Sequence, residues 1–257
     1  MSSALSLLDR PEILSFTFYP RKDPEREPRV PNAINYFVPV AEDVSLGCRL
    51  YTSREDSPNI LFFHGNGETV GDYDFIAPLY TQRGVNLFVA DYRGYGLSGG
   101  EPTFTNMVRD CHRVFETFRR ILPEKGYVGA SFVMGRSLGS ISAIELAYSY
   151  PGQIKGLIIE SGFADPFKLM AYFGLSLGLP SESEFSSKVR EISLPTLIIH
   201  AERDTLIPLK EARNLFESIP SPEKRLVIIP NADHNDLMYV GAEQYFKPIV
   251  EFVFTIR

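Results

Sequence analysis

The sequence predicts an α/β protein with a mostly parallel central sheet, antiparallel strands at its N-terminal end and helices on both faces. Three observations predict it. From Asn59 onward, short apolar runs recur at Ile60 to Phe63, Val85 to Ala90, Phe132 to Met134, Gly156 to Ile159, Thr196 to Ile199 and Leu226 to Ile229. Unbroken runs of this length fit strands buried on both faces, as in a parallel sheet. Between them lie amphipathic stretches, clearest where Phe104, Val108, Cys111, Phe115, Phe118 and Leu122 return every three or four residues. Before Asn59, by contrast, apolar and polar residues alternate, the texture of half-exposed antiparallel strands.

In chain order, Ile13 to Tyr19, Ile34 to Val40 and Val44 to Tyr51 read as the early strands. The stretch Pro20 to Pro31 sets Arg21, Lys22, Arg26 and Arg29 against Asp23, Glu25 and Glu27, so its charges largely cancel and its prolines oppose helix. It reads as a solvated loop. Ile141 to Tyr150 and Ala242 to Phe254 read as helices. The interval Phe163 to Pro195 is too long for a simple crossover and carries Phe167, Leu169, Met170, Tyr172, Phe173, Leu175, Leu177 and Leu179 ahead of the polar stretch Ser181 to Lys188. A small helical cap inserted after a strand accounts for it, giving one domain over residues 1–257 with a cap at 163–195.

Composition narrows the function classes. A chain of 257 residues that is 44% hydrophobic and 23% charged can bury a sizeable core. A net charge of -6 without any long basic run argues against a nucleic-acid partner. No run of about 18 apolar residues predicts a membrane span. The first ten residues lack a basic segment followed by an apolar one of export length, which predicts a cytoplasmic protein. Cys48 and Cys111 are too few for a disulfide framework and stand in no metal-ligand spacing, so both read as small buried apolar side chains, and no metal or cofactor is expected. No pattern fixes an oligomeric state.

The chemistry starts at Gly135-Arg136-Ser137-Leu138-Gly139, a G-x-S-x-G string placed directly between an apolar run and a helical stretch. A sharp strand-to-helix turn there holds Ser137 in a strained backbone conformation that only small neighbours tolerate, and Gly135, Gly139 and Ser140 are small. The helix beyond directs free N–H groups toward a reacting carbonyl. A serine hydroxyl needs a base, and the chain offers four histidines. His112 falls mid-helix, His200 inside an apolar run and His64 at the start of a loop. His234, in the loop after the final strand, is the preferred base.

The base in turn needs a carboxylate to fix its tautomer. In enzymes with this elbow the acid lies between serine and histidine in chain order, which favours Asp204 and leaves Glu202, Glu160 and Asp165 as rivals. An anionic intermediate also needs donors. The Leu138 N–H is one candidate, and the Asn66 N–H, in the loop His64-Gly65-Asn66-Gly67, is the second.

Five strings in order, Phe63-His64-Gly65-Asn66-Gly67, Asp91-Tyr92-Arg93-Gly94-Tyr95-Gly96-Leu97-Ser98-Gly99, the Ser137 elbow, the Asp204-to-Pro208 segment and the His234 loop, resemble the α/β-hydrolase superfamily. The likeness runs over roughly residues 59–257 and is greatest to its small-capped esterase and thioesterase branch. Protein depalmitoylases and serine-aminopeptidase-like members are similar too. Two departures stand out: Glu68 follows the candidate oxyanion loop, and the depalmitoylase likeness would call for a cysteine-rich, lipid-bearing segment, whereas the first cysteine here is Cys48.

The resemblance implies a serine hydrolase that cleaves an ester or thioester of a small-molecule acyl substrate. Phe167, Met170, Tyr172 and Phe173 of the cap are candidates for a substrate pocket. A peptidase of the same fold and an inactive binding scaffold are the alternatives. Gly94, Gly96 and Gly99 also spell a dinucleotide fingerprint, but Gly100, Glu101 and Pro102 intervene before the helix, whereas the fingerprint needs the helix to start within the glycines. They read instead as shaping a loop.

Overall fold

A computed structural model describes residues 4–23, 27–175 and 183–256. The chain divides into two units, Met1–Ser131 and Phe132–Arg257.

The first unit opens with helix α1 (Pro11–Thr17), where the alternating pattern predicts a strand. The correction has a local cause. Pro11 occupies the first helical turn with Glu12 beside it, and the residues that become buried, Ile13 and Thr17, are four apart, which a helix puts on one face. Strands β1 (Ala33–Ala41) and β2 (Val44–Tyr51) form where expected and pair antiparallel. β3 (Asn59–Phe63) and β4 (Asn86–Ala90) pair parallel, and β2 runs antiparallel to β4, giving the order β1-β2-β4-β3. Helix α2 (Tyr73–Thr81) connects β3 to β4.

Helix α3 (Phe104–Glu124) follows, its N-terminus capped by the Thr103 side chain accepting from Asn106 N–H. Its predicted stripe is the buried face, except that Val108 is only half buried. The glycine loop ends before this helix begins. Gly94 and Gly96 take positive φ, and a Cβ on Gly96 would stand 2.1 Å from Asp91 Oδ2, so the glycine lets the loop close over that carboxylate.

The segment predicted as a solvated loop docks in part. Lys22 bridges to Gly96 and donates from Nζ to the Ser98 carbonyl at 2.7 Å, while Arg21 Nε donates to the Gly67 carbonyl at 3.1 Å. Arg21 also pairs with Asp72.

The second unit is parallel throughout: β5 (Ser131–Arg136), β6 (Leu157–Glu160), β7 (Thr196–Ala201) and β8 (Lys224–Ile229) pair in that order. All residues of β6 and β7 are buried. Each large aliphatic side chain so placed contributes about 1.5 to 3 kcal/mol. Helix α4 (Ser140–Ser149) follows β5, α7 (Leu209–Ser218) joins β7 to β8, and the chain closes with α8 (Leu237–Val240) and α9 (Ala242–Thr255).

Of the predicted cap, helices α5 (Pro166–Tyr172) and α6 (Glu184–Val189) are formed. Leu177, Leu179 and Ser181 lie outside the described residues. α6 is tied to α4 by Lys188 Nζ, 2.7 Å from Glu145 Oε2 and over the Tyr148 ring.

Both cysteines are buried, and neither forms a disulfide among the described residues. No described helix is long and apolar enough to cross a membrane. No group of three or more His, Cys, Asp or Glu among the described residues stands ready to hold a metal ion.

Candidate active site

β5 ends at Arg136, and Ser137 opens a single 3-10 turn, Ser137–Gly139, before α4. The φ of Ser137 is 51°, a left-handed conformation that costs a non-glycine residue about 1 to 3 kcal/mol. The surroundings enforce it. A Cβ at Gly135 would fall 2.4 Å from the Gly139 carbonyl oxygen, so the chain can double back this tightly only with glycine there. The Ser140 hydroxyl braces the turn by donating to the Ser137 carbonyl at 2.7 Å.

Ser137 Oγ is 3.1 Å from His234 Nε2, and His234 Nδ1 is 2.7 Å from Asp204 Oδ2. A carboxylate only accepts, so Nδ1 carries the imidazole proton and the neutral ring presents Nε2 as an acceptor to the hydroxyl. Asp204 is buried and well held: its Oδ1 accepts from Leu206 N–H at 3.0 Å and Ile207 N–H at 2.7 Å. Three residues singled out on separate loops are thus brought into one hydrogen-bonded line.

The rival groups are engaged elsewhere. Glu160 pairs with Arg136 and accepts from the Tyr245 hydroxyl at 2.6 Å. Asp165 caps α5 by accepting from Phe167 N–H, and Glu202 accepts from Asn231 N–H.

His200 is buried, donates from Nε2 to the Ile207 carbonyl at 2.8 Å and lies 3.4 Å from Asp204 Oδ2. Burial lowers its pKa, with the Ile207 carbonyl and Asp204 opposing.

His64 lies between the Gly65 carbonyl, 2.8 Å from Nδ1, and Asp91 Oδ1, 3.1 Å from Nε2. Burial opposes its charge, but the hydrogen bond and negative charge of Asp91, with Glu68 and the Gly65 carbonyl, outweigh it and raise the pKa.

Leu138 stands directly after Ser137 in the 3-10 turn ahead of α4, and Asn66 follows β3 in the loop that begins at His64. In the first unit the Asn66 side chain anchors its loop: Oδ1 accepts from the Tyr95 hydroxyl at 2.6 Å and from Tyr19 N–H at 3.0 Å, and Nδ2 donates to the Thr17 carbonyl. Glu68, the departure noted above, is part of the same scaffold. Its carboxylate accepts from Gly65 N–H at 2.8 Å and from the Tyr73 hydroxyl at 2.9 Å, which turns the charge inward to brace the loop.

The cap candidates separate by exposure. Phe167 and Met170 are buried, Phe173 is half-buried, and Tyr172 is 65% exposed.

The family described as serine aminopeptidase, S33, matches residues 55–180 and 182–238. The chain belongs to that family. This S33-family chain is 29% identical to protein bem46 of Schizosaccharomyces pombe over 211 residues, 78% of this chain and 69% of the relative. It is 27% identical to human alpha/beta hydrolase domain-containing protein 17C over 231 residues, 85% of this chain and 65% of that protein. It thus spans about two thirds of the length of these relatives. An esterase of Pyrococcus furiosus has the same fold, with a TM-score of 0.72 and 20% identity over 93% of this chain and 98% of that one. Family and fold therefore make this S33-family protein a hydrolase of the α/β-hydrolase superfamily, as its five strings imply.

The signal that the sequence reading passed over is Arg136. It occupies a variable place in the G-x-S-x-G string, yet its side chain is only 7% exposed. An arginine directly after the apolar run Phe132 to Met134 and Gly135 is the cue, because a buried guanidinium needs assigned partners.

Proposed function

We propose that the protein is a serine hydrolase that cleaves a carboxylic ester or thioester of a small-molecule acyl substrate through an acyl-enzyme on Ser137. The observation that carries this reading is the continuous line Asp204, His234, Ser137 at 2.7 and 3.1 Å, which ends on a serine held in the left-handed backbone conformation.

In this mechanism the Ser137 hydroxyl attacks the acyl carbonyl while His234 Nε2 takes its proton. Asp204 holds the resulting imidazolium through Nδ1. The Leu138 N–H donates to the oxyanion, and the family pattern assigns the second donor to Asn66. Collapse of the intermediate expels the alcohol or thiol, which takes the proton from His234. Water activated by the same imidazole then releases the acid and frees Ser137.

Serine as nucleophile favours acyl transfer, since alkyl-ester chemistry of halides and epoxides on this fold needs a carboxylate there. The name of the matched family supports a second reading, a serine aminopeptidase.

A panel of p-nitrophenyl esters of graded chain length, acyl thioesters and aminoacyl amides separates the two. Faster turnover of esters or thioesters is expected, whereas preference for aminoacyl amides gives the peptidase reading. A fluorophosphonate probe should label the wild-type protein and not Ser137→Ala. A wild-type protein that is folded yet neither labelled nor active on the panel is a binding scaffold instead.

A further inference from the structure

We propose that Arg136 is a positioning residue for the base, the middle of a buried relay from Tyr245 through Glu160 and Arg136 to the backbone of His234. The inference rests on the reading of His234 as the base of Ser137.

The relay starts in α9, where the buried Tyr245 donates its hydroxyl proton to Glu160 Oε2 at 2.6 Å. Glu160 ends β6, in register with Arg136 at the end of β5, and its Oε1 accepts from Arg136 Nε at 3.0 Å. The other side of the guanidinium reaches the histidine loop. Arg136 Nη2 donates to the His234 carbonyl at 2.9 Å and to Asn235 Oδ1 at 3.0 Å.

Glu160 takes up the Nε–H of the guanidinium and leaves its Nη2 group to find other acceptors. Here the guanidinium also spans to a loop 98 positions further along the chain, and it ends on the carbonyl of the base itself.

The geometry gives that contact a consequence. Asp204 fixes where the His234 ring points, but the 3.1 Å between Nε2 and Ser137 Oγ also depends on where the His234 backbone sits relative to the nucleophile. Asp233 secures the outer side of the loop, accepting from Thr205 N–H at 2.9 Å and from His234 N–H at 2.7 Å. Arg136 secures the inner side from the residue that immediately precedes Ser137. Nucleophile and base are thereby referenced to one rigid strand end. Only a planar fork meets these three acceptors together. A lysine ammonium keeps the charge but is a point donor on a flexible stem.

The test is a double-mutant cycle on a p-nitrophenyl ester, with Arg136→Lys made in the wild-type and in the His234→Ala background. Misplacement of a reacting group by about an ångström costs up to roughly a hundredfold, so kcat is expected to fall about ten- to a hundredfold in the wild-type background with KM changed less than about twofold. In the His234→Ala background the residual turnover should fall no further. A role in folding or packing alone would lower both backgrounds by the same factor.

If Arg136→Lys does not fold, Tyr245→Phe takes its place. It loosens only the grip on Glu160 and is expected to lower kcat about threefold or more, again in the wild-type background alone. Equal losses in both backgrounds, or an unchanged kcat in the variant that folds, overturn the inference. If His234→Ala itself retains near-normal turnover, the base assignment fails and the inference falls with it. A disabled His234→Ala with additive losses rejects the positioning role of Arg136 alone.

Discussion

His234 Nδ1 donates to Asp204 Oδ2 at 2.7 Å, and the other oxygen of the same carboxylate is occupied by the N–H groups of Leu206 and Ile207. Asparagine in place of Asp204 can keep one oxygen on those two N–H groups, but it turns an NH2 group toward the histidine. The imidazole must then accept at Nδ1 and carry its proton on Nε2, the wrong tautomer for a base. Asp204→Asn is expected to lower kcat by a factor on the order of a thousand or more with little change in melting temperature. Ester turnover and a circular-dichroism melt on one preparation check both halves.

The elbow makes a separate prediction about stability. A methyl group at Gly135 meets backbone, the Gly139 carbonyl oxygen at 2.4 Å and Ser140 Cα at 2.7 Å, with no side chain free to swing away. Gly135→Ala is expected to cost about 2 to 3 kcal/mol. It should also weaken fluorophosphonate labelling, because the backbone must shift at Ser137. Urea denaturation followed by labelling of the folded fraction measures the two effects.

Both ring nitrogens of His64 face acceptors, which suits the imidazolium, and its folded pKa is raised above the ordinary value. A raised folded pKa contributes stability that is full below the unfolded value near 6.5 and is lost as pH rises through the folded value. Replacing Asp91 with Asn removes the charge that outweighs burial, so the folded pKa should drop and this pH dependence reverse. Asp91→Asn is expected to cost roughly 3 kcal/mol at pH 6 and less at pH 8.5. Denaturation curves at the two pH values decide it, and an equal cost at both contradicts the charged state of His64.

In the cap, exposure divides the four aromatic and sulfur side chains into two kinds. Phe167 is 2% exposed, and Phe167→Ala is expected to lower stability by about 3 to 5 kcal/mol. Tyr172, 65% exposed, has little packing to lose. Tyr172→Ala should leave the melting temperature within about 2 °C and shift KM across the ester chain-length series. A flat KM profile for Tyr172→Ala removes it from the substrate pocket.

The parts of the fold that could be read from the chain were those encoded locally. β3 to β7 are announced by apolar runs, because a strand buried on both faces shows no alternation, whereas β8 carries the same kind of run at the end of the strand order, where only its Ile229 is buried. α3 is announced by its stripe, and α4 and α9 start and stop within one or two residues of expectation. α1 was hidden because alternation over seven residues also fits a helix that buries only two of them. Glu68 was opaque for a different reason: its partners, Gly65 N–H and the Tyr73 hydroxyl, meet it only once the loop has folded back on itself.

By itself the sequence determined the strand–turn–helix setting of Ser137, the family pattern around it and a short set of bases and acids. Those follow from residue size and periodicity within a few turns of chain. The tertiary structure alone decided that Asp204, and neither Glu160, Asp165 nor Glu202, faces His234, and that Arg136 reaches the histidine loop. A hydrogen bond is fixed by ångström distances between side chains, and here the partners are 30, 97 and 98 positions apart. No local pattern carries that information, so it appears only when the parallel sheet aligns the ends of its strands.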